Sequence, residues 1–406
     1  MGGAGVEELA RSLVGRGGGT VERPLAGGGT FPLAYVRSGP VTSRPVLFVP
    51  GGPGLASVVP YLRFRAQAAR RGLDVLMVEH RGTGLSRRDH GGRDLPVDEV
   101  TVEAAADDLA AVLDAVGVER AVVHGSSYGS YLTQVFGVRH PHRVAAMVLD
   151  SPMLSVEGDL AVSRAYRRRL FWNGADPATA EVATVVRAAA AAGVPMAELV
   201  AVTQVVHEFA GPEVLRRLLL ARTADRLGRT WRRVVRLGRE EFEGPGTPYV
   251  HEPDLVAGIA YGQLGFGLPP DGGPMDPQLV FADAAERAPA FRGEPLDLPS
   301  VVPGFTWPTV VVSGDRDLRT PRPVAERLTG LVPGAVLVPL AGLGHSALDT
   351  HQLAALHIAH AAVAGATDRL PALAGRLAAL PGRGPSRLVG TAVAAVVTAA
   401  STLRPV

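Results

Sequence analysis

The ten residues 121–130, AVVHGSSYGS, decide how the rest of the chain is interpreted. An apolar run precedes the serines and a helical pattern follows them, which predicts a strand, a sharp turn and a helix. Only Ser127 has a glycine two residues before it and another two residues after it, at Gly125 and Gly129. Glycines at these offsets let neighbouring backbone pass without a Cβ clash. The stretch therefore predicts Ser127 as a nucleophile on a strained turn.

The composition of the 406 residues indicates a globular protein and excludes several chemistries. Hydrophobic residues make up 47% and charged residues 20%, which is typical of folded domains with ample core. The chain has no cysteine and no lysine, so disulfides, thiolate metal sites, Schiff bases and a P-loop lysine are excluded. The net charge of +2 gives no support to a nucleic-acid partner.

Strand and helix patterns alternate in two blocks of the sequence. Strand patterns lie at 20–25, 32–38, 46–49, 74–78, 120–124 and 144–149, and again at 309–313 and 335–340. Helix patterns lie between the later strands of the first block, and also at 321–331 and 347–363. This alternation predicts an α/β fold with a mostly parallel sheet and helices on both faces.

Between the two blocks the patterns are helical only, at 158–172, 177–192 and 212–237. We therefore expect a first part of the α/β core at 1–153, a helical cap at 154–300, a second part of the core at 301–370 and a C-terminal helical extension at 371–406. The residues 216–239 contain nine arginines and one acid. We interpret them as the solvated side of an amphipathic helix whose Leu218, Leu219 and Val235 pack inward, rather than as a nucleic-acid surface. The Gly- and Pro-rich segment 265–277 predicts a loop near the mouth of the site.

The two ends of the sequence are where a signal peptide or a membrane span would be expected. The first 19 residues have no apolar core of signal-peptide length behind a basic start, so we expect a cytoplasmic protein. The apolar stretch 388–403 is interrupted by polar residues, among them Thr391, Thr398 and Ser401, and is short for a membrane span. A helix packed on the body is expected there, with contact to a membrane surface as the alternative.

A serine nucleophile needs a base to take its proton and an acid to orient that base. His345 follows the last strand pattern, and Asp317 lies on a loop after the preceding one. The order Ser127, Asp317, His345 is that of α/β-hydrolases. Asp315, which comes immediately after its strand, and Asp150 remain alternatives for the acid.

The loop Pro50-Gly51-Gly52-Pro53-Gly54 follows the third strand pattern and exposes backbone N–H groups. We predict that the N–H groups of Gly52 and of Tyr128, the residue after the nucleophile, hold the oxyanion of a tetrahedral intermediate. A plain Gly/Pro turn is the alternative for the loop. No metal or organic cofactor is expected. His357 and His360 lie one helical turn apart, but no HExxH motif or third ligand accompanies them.

Several motifs carry a resemblance to a known family. The chain resembles the proline iminopeptidase and tripeptidyl aminopeptidase branch of the α/β-hydrolase superfamily, over about 32–152 and 309–363. The motifs are the glycine loop, Arg81-Gly82-Thr83-Gly84-Leu85-Ser86, Gly125-Ser126-Ser127-Tyr128-Gly129, the residues 314–321 and Gly344-His345. The resemblance implies a helical cap over the nucleophile and cleavage of an N-terminal residue, or a short N-terminal piece, from peptides.

The chain departs from that branch in two places. Glu79-His80 stand before Arg81, where the family shows Asp-Gln. The tryptophan-glutamate segment by which iminopeptidase caps grip the substrate's amino group has no recognisable counterpart. Candidates for that carboxylate are Glu240, Glu241, Glu243 and Glu252. A plain surface position is the alternative for each of them, and Glu252 is our choice. We expect a serine hydrolase acting on a small peptide, with a carboxylic-ester hydrolase or a non-catalytic ligand-binding protein of the same fold as alternatives.

Overall fold

A computed structural model of the chain describes residues 3–243, 246–382, 390–395 and 397. Eight strands in this part of the chain form one sheet. They are β1 (Gly18–Pro24), β2 (Thr30–Ser38), β3 (Val46–Val49), β4 (Val75–Val78), β5 (Ala121–Ser126), β6 (Val144–Asp150), β7 (Thr309–Gly314) and β8 (Val336–Leu340). Their spatial order is β1-β2-β4-β3-β5-β6-β7-β8, with β1, β2 and β4 paired antiparallel and all other pairs parallel. The predicted mostly parallel α/β sheet is confirmed.

The central strands are apolar because both faces of the sheet are covered. Every residue of β3, β4, β5 and β7 is buried, as expected for parallel strands between two layers of helices. Alternate side chains of β3 enter opposite cores, with Leu47 in one and Phe48 in the other. The carboxyl ends of the parallel strands therefore meet at one edge of the sheet, where β3, β5 and β7 lead into the loops predicted to carry chemistry.

Helices flank the sheet, and in the part of the chain that the structure describes five longer helices follow one another after β6. Thr101 caps the third helix as predicted, because its side chain accepts a hydrogen bond from the Ala104 N–H at 3.2 Å. The longer helices are α1 (Gly3–Gly17), α2 (Leu62–Ala69), α3 (Val102–Ala115), α4 (Tyr128–Arg139), α5 (Val156–Phe171), α6 (Ala180–Ala191), α7 (Met196–Ala210), α8 (Pro212–Thr223), α9 (Gly228–Glu243), α10 (Arg322–Leu331), α11 (Gln352–Val363) and α12 (Leu370–Ala378). One-turn helices occupy Ala257–Ala260, Ala282–Ala285, Leu298–Val301 and Ala347–Thr350.

The helices α5 to α9 pack around a core of their own, which includes Phe171, Leu199 and Trp231. No strand lies among the residues that the structure describes between 154 and 300. Leu218 and Leu219 are buried in this core, and Val235 is partly buried against it, as the sequence predicts. The division of the chain at residues 153, 300 and 370 stays a prediction.

Two predicted helices are interrupted. The prediction of one helix over 212–237 was wrong, because Asp225 and Leu227 adopt φ of 55° and 59° and separate α8 from α9. A right-handed helix cannot continue through left-handed residues. The helix predicted at 347–363 breaks at His351, whose Nε2 lies 3.0 Å from the carbonyl oxygen of Leu377 on α12.

Most of the apolar stretch 388–403 lies outside the described residues. The described residues 390–395 and 397 are helical, and Val393 and Val397 belong to the core of α5 to α9. Across the described ranges, no helix combines the length and apolarity needed to cross a bilayer.

Candidate active site

Ser127 occupies the sharp turn between β5 and α4. Its backbone has φ 53° and ψ −123°, a region that residues with a side chain rarely adopt. A Cβ on Gly125 would lie 2.2 Å from the carbonyl oxygen of Gly129, and a Cβ on Gly129 would lie 2.1 Å from that of Val49. Both glycines are therefore required where β5, α4 and the end of β3 approach one another. This crossing holds Ser127 at the sheet edge.

Gly125→Ala tests the crowding at this turn. The added methyl meets backbone and the Thr133 Oγ1 at 2.3 Å, so we expect a loss of about 1–3 kcal/mol or more in unfolding free energy. Urea unfolding should show a lower midpoint with an unchanged slope. Gly330→Ala is the matched control, because nothing lies within 4 Å of its added methyl. An unchanged midpoint in Gly125→Ala would contradict the close approach.

The His345 imidazole is hydrogen-bonded to the Asp317 carboxylate. Nδ1 lies 3.0 Å from Oδ2 and 3.1 Å from Oδ1. Asp317 is 0% exposed, and its oxygens also accept from the backbone N–H groups of Arg319 and Thr320 at 2.9 and 3.0 Å and from the Thr320 hydroxyl at 3.0 Å. A carboxylate with this many donors is fixed in place and kept ionised.

Burial and charge act against each other in this pair. Burial alone would raise the pKa of Asp317, but the charge and hydrogen bond of His345, together with the hydrogen bonds from Thr320 and Ser151, lower it. Burial alone would lower the pKa of His345, but the charge and hydrogen bond of Asp317 raise it above its usual value. The pair therefore favours an ionised carboxylate beside an imidazole able to accept a second proton.

The two other acids that the sequence left open are used elsewhere. The Asp315 Oδ1 accepts from the N–H of Gly342 at 2.8 Å. The Asp150 oxygens accept from the N–H groups of Ala347 and Leu348 at 3.1 and 2.8 Å. Asp150 thereby holds the first turn after His345. Of the three candidate acids, Asp317 is the one hydrogen-bonded to the His345 imidazole.

Ser127 and His345 line one cavity between the sheet edge and the helices that follow β6. The glycine loop contributes Gly51 and Gly52 to its wall, and the Gly- and Pro-rich segment contributes Gly265 and Pro277. Most of the wall is apolar, formed by Leu55, Met153, Leu160, Leu264, Phe266 and Phe281. Polar side chains interrupt it at Asp159, Ser163, Arg167, Gln204, Gln278 and Arg319.

The glycine loop and the start of α4, which carry the two predicted oxyanion donors, both adjoin Ser127. A Cβ on Gly51 would lie 3.0 Å from the Ser127 Cβ, so the glycine loop passes directly over the nucleophile. Gly52 has φ +119° and no room for a Cβ, which would lie 2.6 Å from the Gly54 nitrogen. Tyr128 is the first residue of α4, where backbone N–H groups have no acceptor within the helix.

The ring of Tyr128 is held by His80, a residue that sequence reasoning did not connect with it. The His80 Nδ1 lies 2.6 Å from the carbonyl oxygen of Arg81 and must donate to it, so Nε2 accepts from the Tyr128 hydroxyl at 2.8 Å. Burial lowers the pKa of His80 to about 4, which keeps this ring neutral. His80 therefore anchors the residue that follows the nucleophile.

The structure does not bring Glu252 to the cavity of Ser127. Its carboxylate accepts from the Gly84 N–H and lies 3.5 Å from Nη1 of Arg87, and it lines a different cavity with these two residues and Tyr249. The carboxylate is occupied in holding the segment after β4, so the geometry does not support a grip on the substrate. The side chains of Glu240, Glu241 and Glu243 lie outside what the structure describes.

Three charged residues near the site were missed by sequence reasoning. Asp159 and Arg167 lie two turns apart on α5 and both line the cavity. Glu208, on α7, is 5% exposed and accepts from the N–H of Leu318 at 3.1 Å, next to Asp317. A signal was present, since Gln204 and Glu208 are four residues apart among the apolar residues of the helical pattern MAELVAVTQVVHEFA. In the described ranges, His, Asp and Glu side chains form no group of three that could hold a metal ion.

The family described as alpha/beta hydrolase fold matches residues 44–352, which include all three predicted triad residues. The chain belongs to this family. A RutD protein of Azorhizobium caulinodans, named as a carbamate hydrolase, is 31% identical over 147 residues, or 36% of this chain and 51% of that protein. A 2-hydroxy-6-oxo-2,4-heptadienoate hydrolase of Pseudomonas putida is 32% identical over 126 residues, or 31% of this α/β hydrolase and 42% of that protein.

This α/β hydrolase thus spans about half or less of the length of the curated relatives it matches. Among solved structures, the proline iminopeptidase of Mycobacterium smegmatis is similar with a TM-score of 0.47 and 16% identity, covering 86% of this chain and 99% of that one. The relatives act on chemically different substrates by their names, so the family alone does not select the substrate.

Proposed function

We propose that this α/β hydrolase is a serine hydrolase that removes N-terminal residues from peptides through an acyl-enzyme on Ser127. The observation that carries the proposal is the His345 imidazole, which is bound to buried Asp317 and lines the same cavity as Ser127. This is the arrangement that activates a serine hydroxyl near neutral pH.

The chemistry assigns one role to each group. As the Ser127 Oγ attacks the scissile carbonyl carbon, its proton passes to Nε2 of His345 and the carbonyl becomes an oxyanion. The N–H groups of Gly52 and Tyr128 stabilise that oxyanion. His345 then returns the proton to the leaving amine, the C–N bond breaks, and water hydrolyses the acyl-enzyme by the same route. Asp317 orients the imidazole and stabilises its positive form.

The surroundings of the Asp159 carboxylate favour a substrate that has a free amino group. Its Oδ2 accepts from the backbone N–H groups of Leu154 and Ser155, but Oδ1 is buried without a hydrogen-bond partner among the described residues. Burial raises the pKa of Asp159 to about 7, because the N–H groups of Leu154 and Ser155 and the charge of Arg327 offset burial only in part. An ammonium group of a peptide would supply both the missing donor and the missing charge.

A substrate panel tests the proposed reaction. Alanyl- and prolyl-4-nitroanilides should be hydrolysed, and blocking their amino group by acetylation should reduce kcat/KM. An ester hydrolase with the same triad is the second candidate, favoured by the largely apolar wall of the cavity. Turnover of short acyl 4-nitrophenyl esters with no hydrolysis of any aminoacyl-nitroanilide would select that candidate instead.

Asp159→Asn should reduce the preference for a free amino group. A charge-assisted hydrogen bond contributes about 1.5–3 kcal/mol, so the ratio of kcat/KM for alanyl- over acetylalanyl-4-nitroanilide should fall about 10- to 100-fold. Glu157→Gln is the matched control, because Glu157 lies on the exposed side of the same helix. The assignment of Asp159 fails if both variants keep the wild-type ratio.

A further inference from the structure

The cavity that contains Ser127 also contains a buried arginine that has no anionic partner within the described part of the chain. Arg167 is 1% exposed. Its Nε and Nη2 donate to the carbonyl oxygen of Leu318 at 3.0 and 2.8 Å, and Nη2 also donates to Oε1 of Gln204. Both acceptors are neutral, and Nη1 has no hydrogen-bond partner among the described residues. No carboxylate of the described chain lies within ion-pair distance of this guanidinium.

A buried guanidinium without an anionic partner destabilises the folded protein unless a ligand supplies that partner. Burial lowers the pKa of Arg167 to about 10, although Glu208 opposes the shift from a distance, and arginine stays charged at neutral pH. Gln278 lines the same cavity and also has a buried oxygen for which the described residues supply no partner. A polar ligand in the cavity would bring hydrogen-bond partners for Nη1 of Arg167 and for the side-chain oxygen of Gln278.

We propose that Arg167 binds a carboxylate of the substrate, so that this enzyme acts on short peptides with a free C-terminal carboxylate. The proposal rests on the proposed peptidase function and goes beyond it by defining both ends of the substrate. A guanidinium presents its donors to a carboxylate in matched geometry, and Nη1 is the donor that has no partner among the described residues.

The spacing along α5 fits this class of substrate. Asp159, Ser163 and Arg167 recur at intervals of four residues and all line the cavity, so they form one polar stripe on the helix. Asp159 and Arg167 are eight positions apart on the helix, which is about 12 Å along its axis. An extended peptide covers that distance in about three to four residues. An ammonium at Asp159 and a carboxylate at Arg167 therefore match opposite ends of a very short peptide.

The first test compares acid and amide forms of one substrate with the wild-type enzyme. Trialanine and trialanine amide differ only in the C-terminal charge. We expect kcat/KM to be about 10- to 100-fold higher for the acid, the size of a charge-assisted hydrogen bond. Equal values for the acid and the amide would overturn the proposal, and this comparison needs no variant that could misfold.

The second test asks whether Arg167 is the residue that causes the preference for the acid over the amide. Arg167→Gln should bring the ratio of acid to amide close to one, and Arg167→Lys should recover part of it. Arg169→Gln is the matched control, because Arg169 is a half-exposed arginine on the same helix and is not part of the cavity wall. Because Arg167 also holds the loop of Asp317 through Leu318, the ratio is the readout rather than the rate. A wild-type ratio retained in Arg167→Gln would overturn the assignment.

The failure of this inference can be told from the failure of the proposed function. If esters are hydrolysed and peptides are not, acetyl-dialanine and its amide are tested as competitive inhibitors of ester hydrolysis. Stronger inhibition by the acid, lost in Arg167→Gln, would support the carboxylate site although the peptidase proposal had failed. Equal inhibition by the acid and the amide would reject the site independently of the reaction.

Discussion

Ser127→Ala will lower kcat by about 10⁶-fold on every substrate that the wild-type enzyme hydrolyses, which is the loss typical of a removed serine nucleophile. Without the hydroxyl, no acyl-enzyme forms, and the imidazole of His345 has no proton to accept. The oxyanion donors remain in place, so a small residual rate above that in water is expected. Progress curves at high enzyme concentration measure the residual rate directly.

Labelling by a fluorophosphonate probe gives an independent readout of the same variant. The wild-type protein should be labelled on Ser127 and the alanine variant should not. Ser126→Ala is the matched control, because the Ser126 Oγ is hydrogen-bonded to the Ser346 Oγ at 2.7 Å and is fully buried. Undiminished turnover in Ser127→Ala, with an unchanged unfolding midpoint, would remove the serine mechanism. A wild-type protein that is never labelled would favour a ligand-binding role.

Asp317→Asn should reduce kcat by about 10⁴-fold, as expected when the group that orients the base is replaced by an amide. The amide lacks the charge that stabilises the imidazolium during attack. Its NH₂ group can also donate to Nδ1 of His345, which would select the wrong tautomer. The surrounding N–H groups of Arg319 and Thr320 can still bind the amide oxygen, so we expect the loop to stay in place.

The same variant should shift the pH profile. The base must be neutral, so wild-type kcat/KM falls as the pH decreases through the raised pKa of His345. When the Asp317 carboxylate is removed, burial still acts and lowers the pKa of His345. The acid limb of the pH profile should therefore move to lower pH. Asp315→Asn is the control on the same loop and should keep the wild-type limb. An acid limb unmoved in Asp317→Asn would mean that another group sets it.

The local parts of the site could be predicted because they depend on neighbours in the sequence. The turn at Ser127 requires glycine at offsets of two residues, and the apolar runs of the central strands reflect a sheet covered on both faces. The order of Ser127, Asp317 and His345 follows from the order of the strands. These features are visible without coordinates because each depends on a few adjacent residues or on their periodicity.

The sequence by itself thus determined the fold class, the glycine frame around Ser127 and the loops that could carry an acid and a base. Only the tertiary structure decided which acid meets His345, that Glu252 is held by Gly84 and Arg87 instead, and that Arg167 enters the cavity. The physical reason is that the role of a carboxylate or a guanidinium depends on the groups that surround it in the folded protein. Those partners come from segments far apart in the chain, and burial decides which charges are left for a substrate to complete.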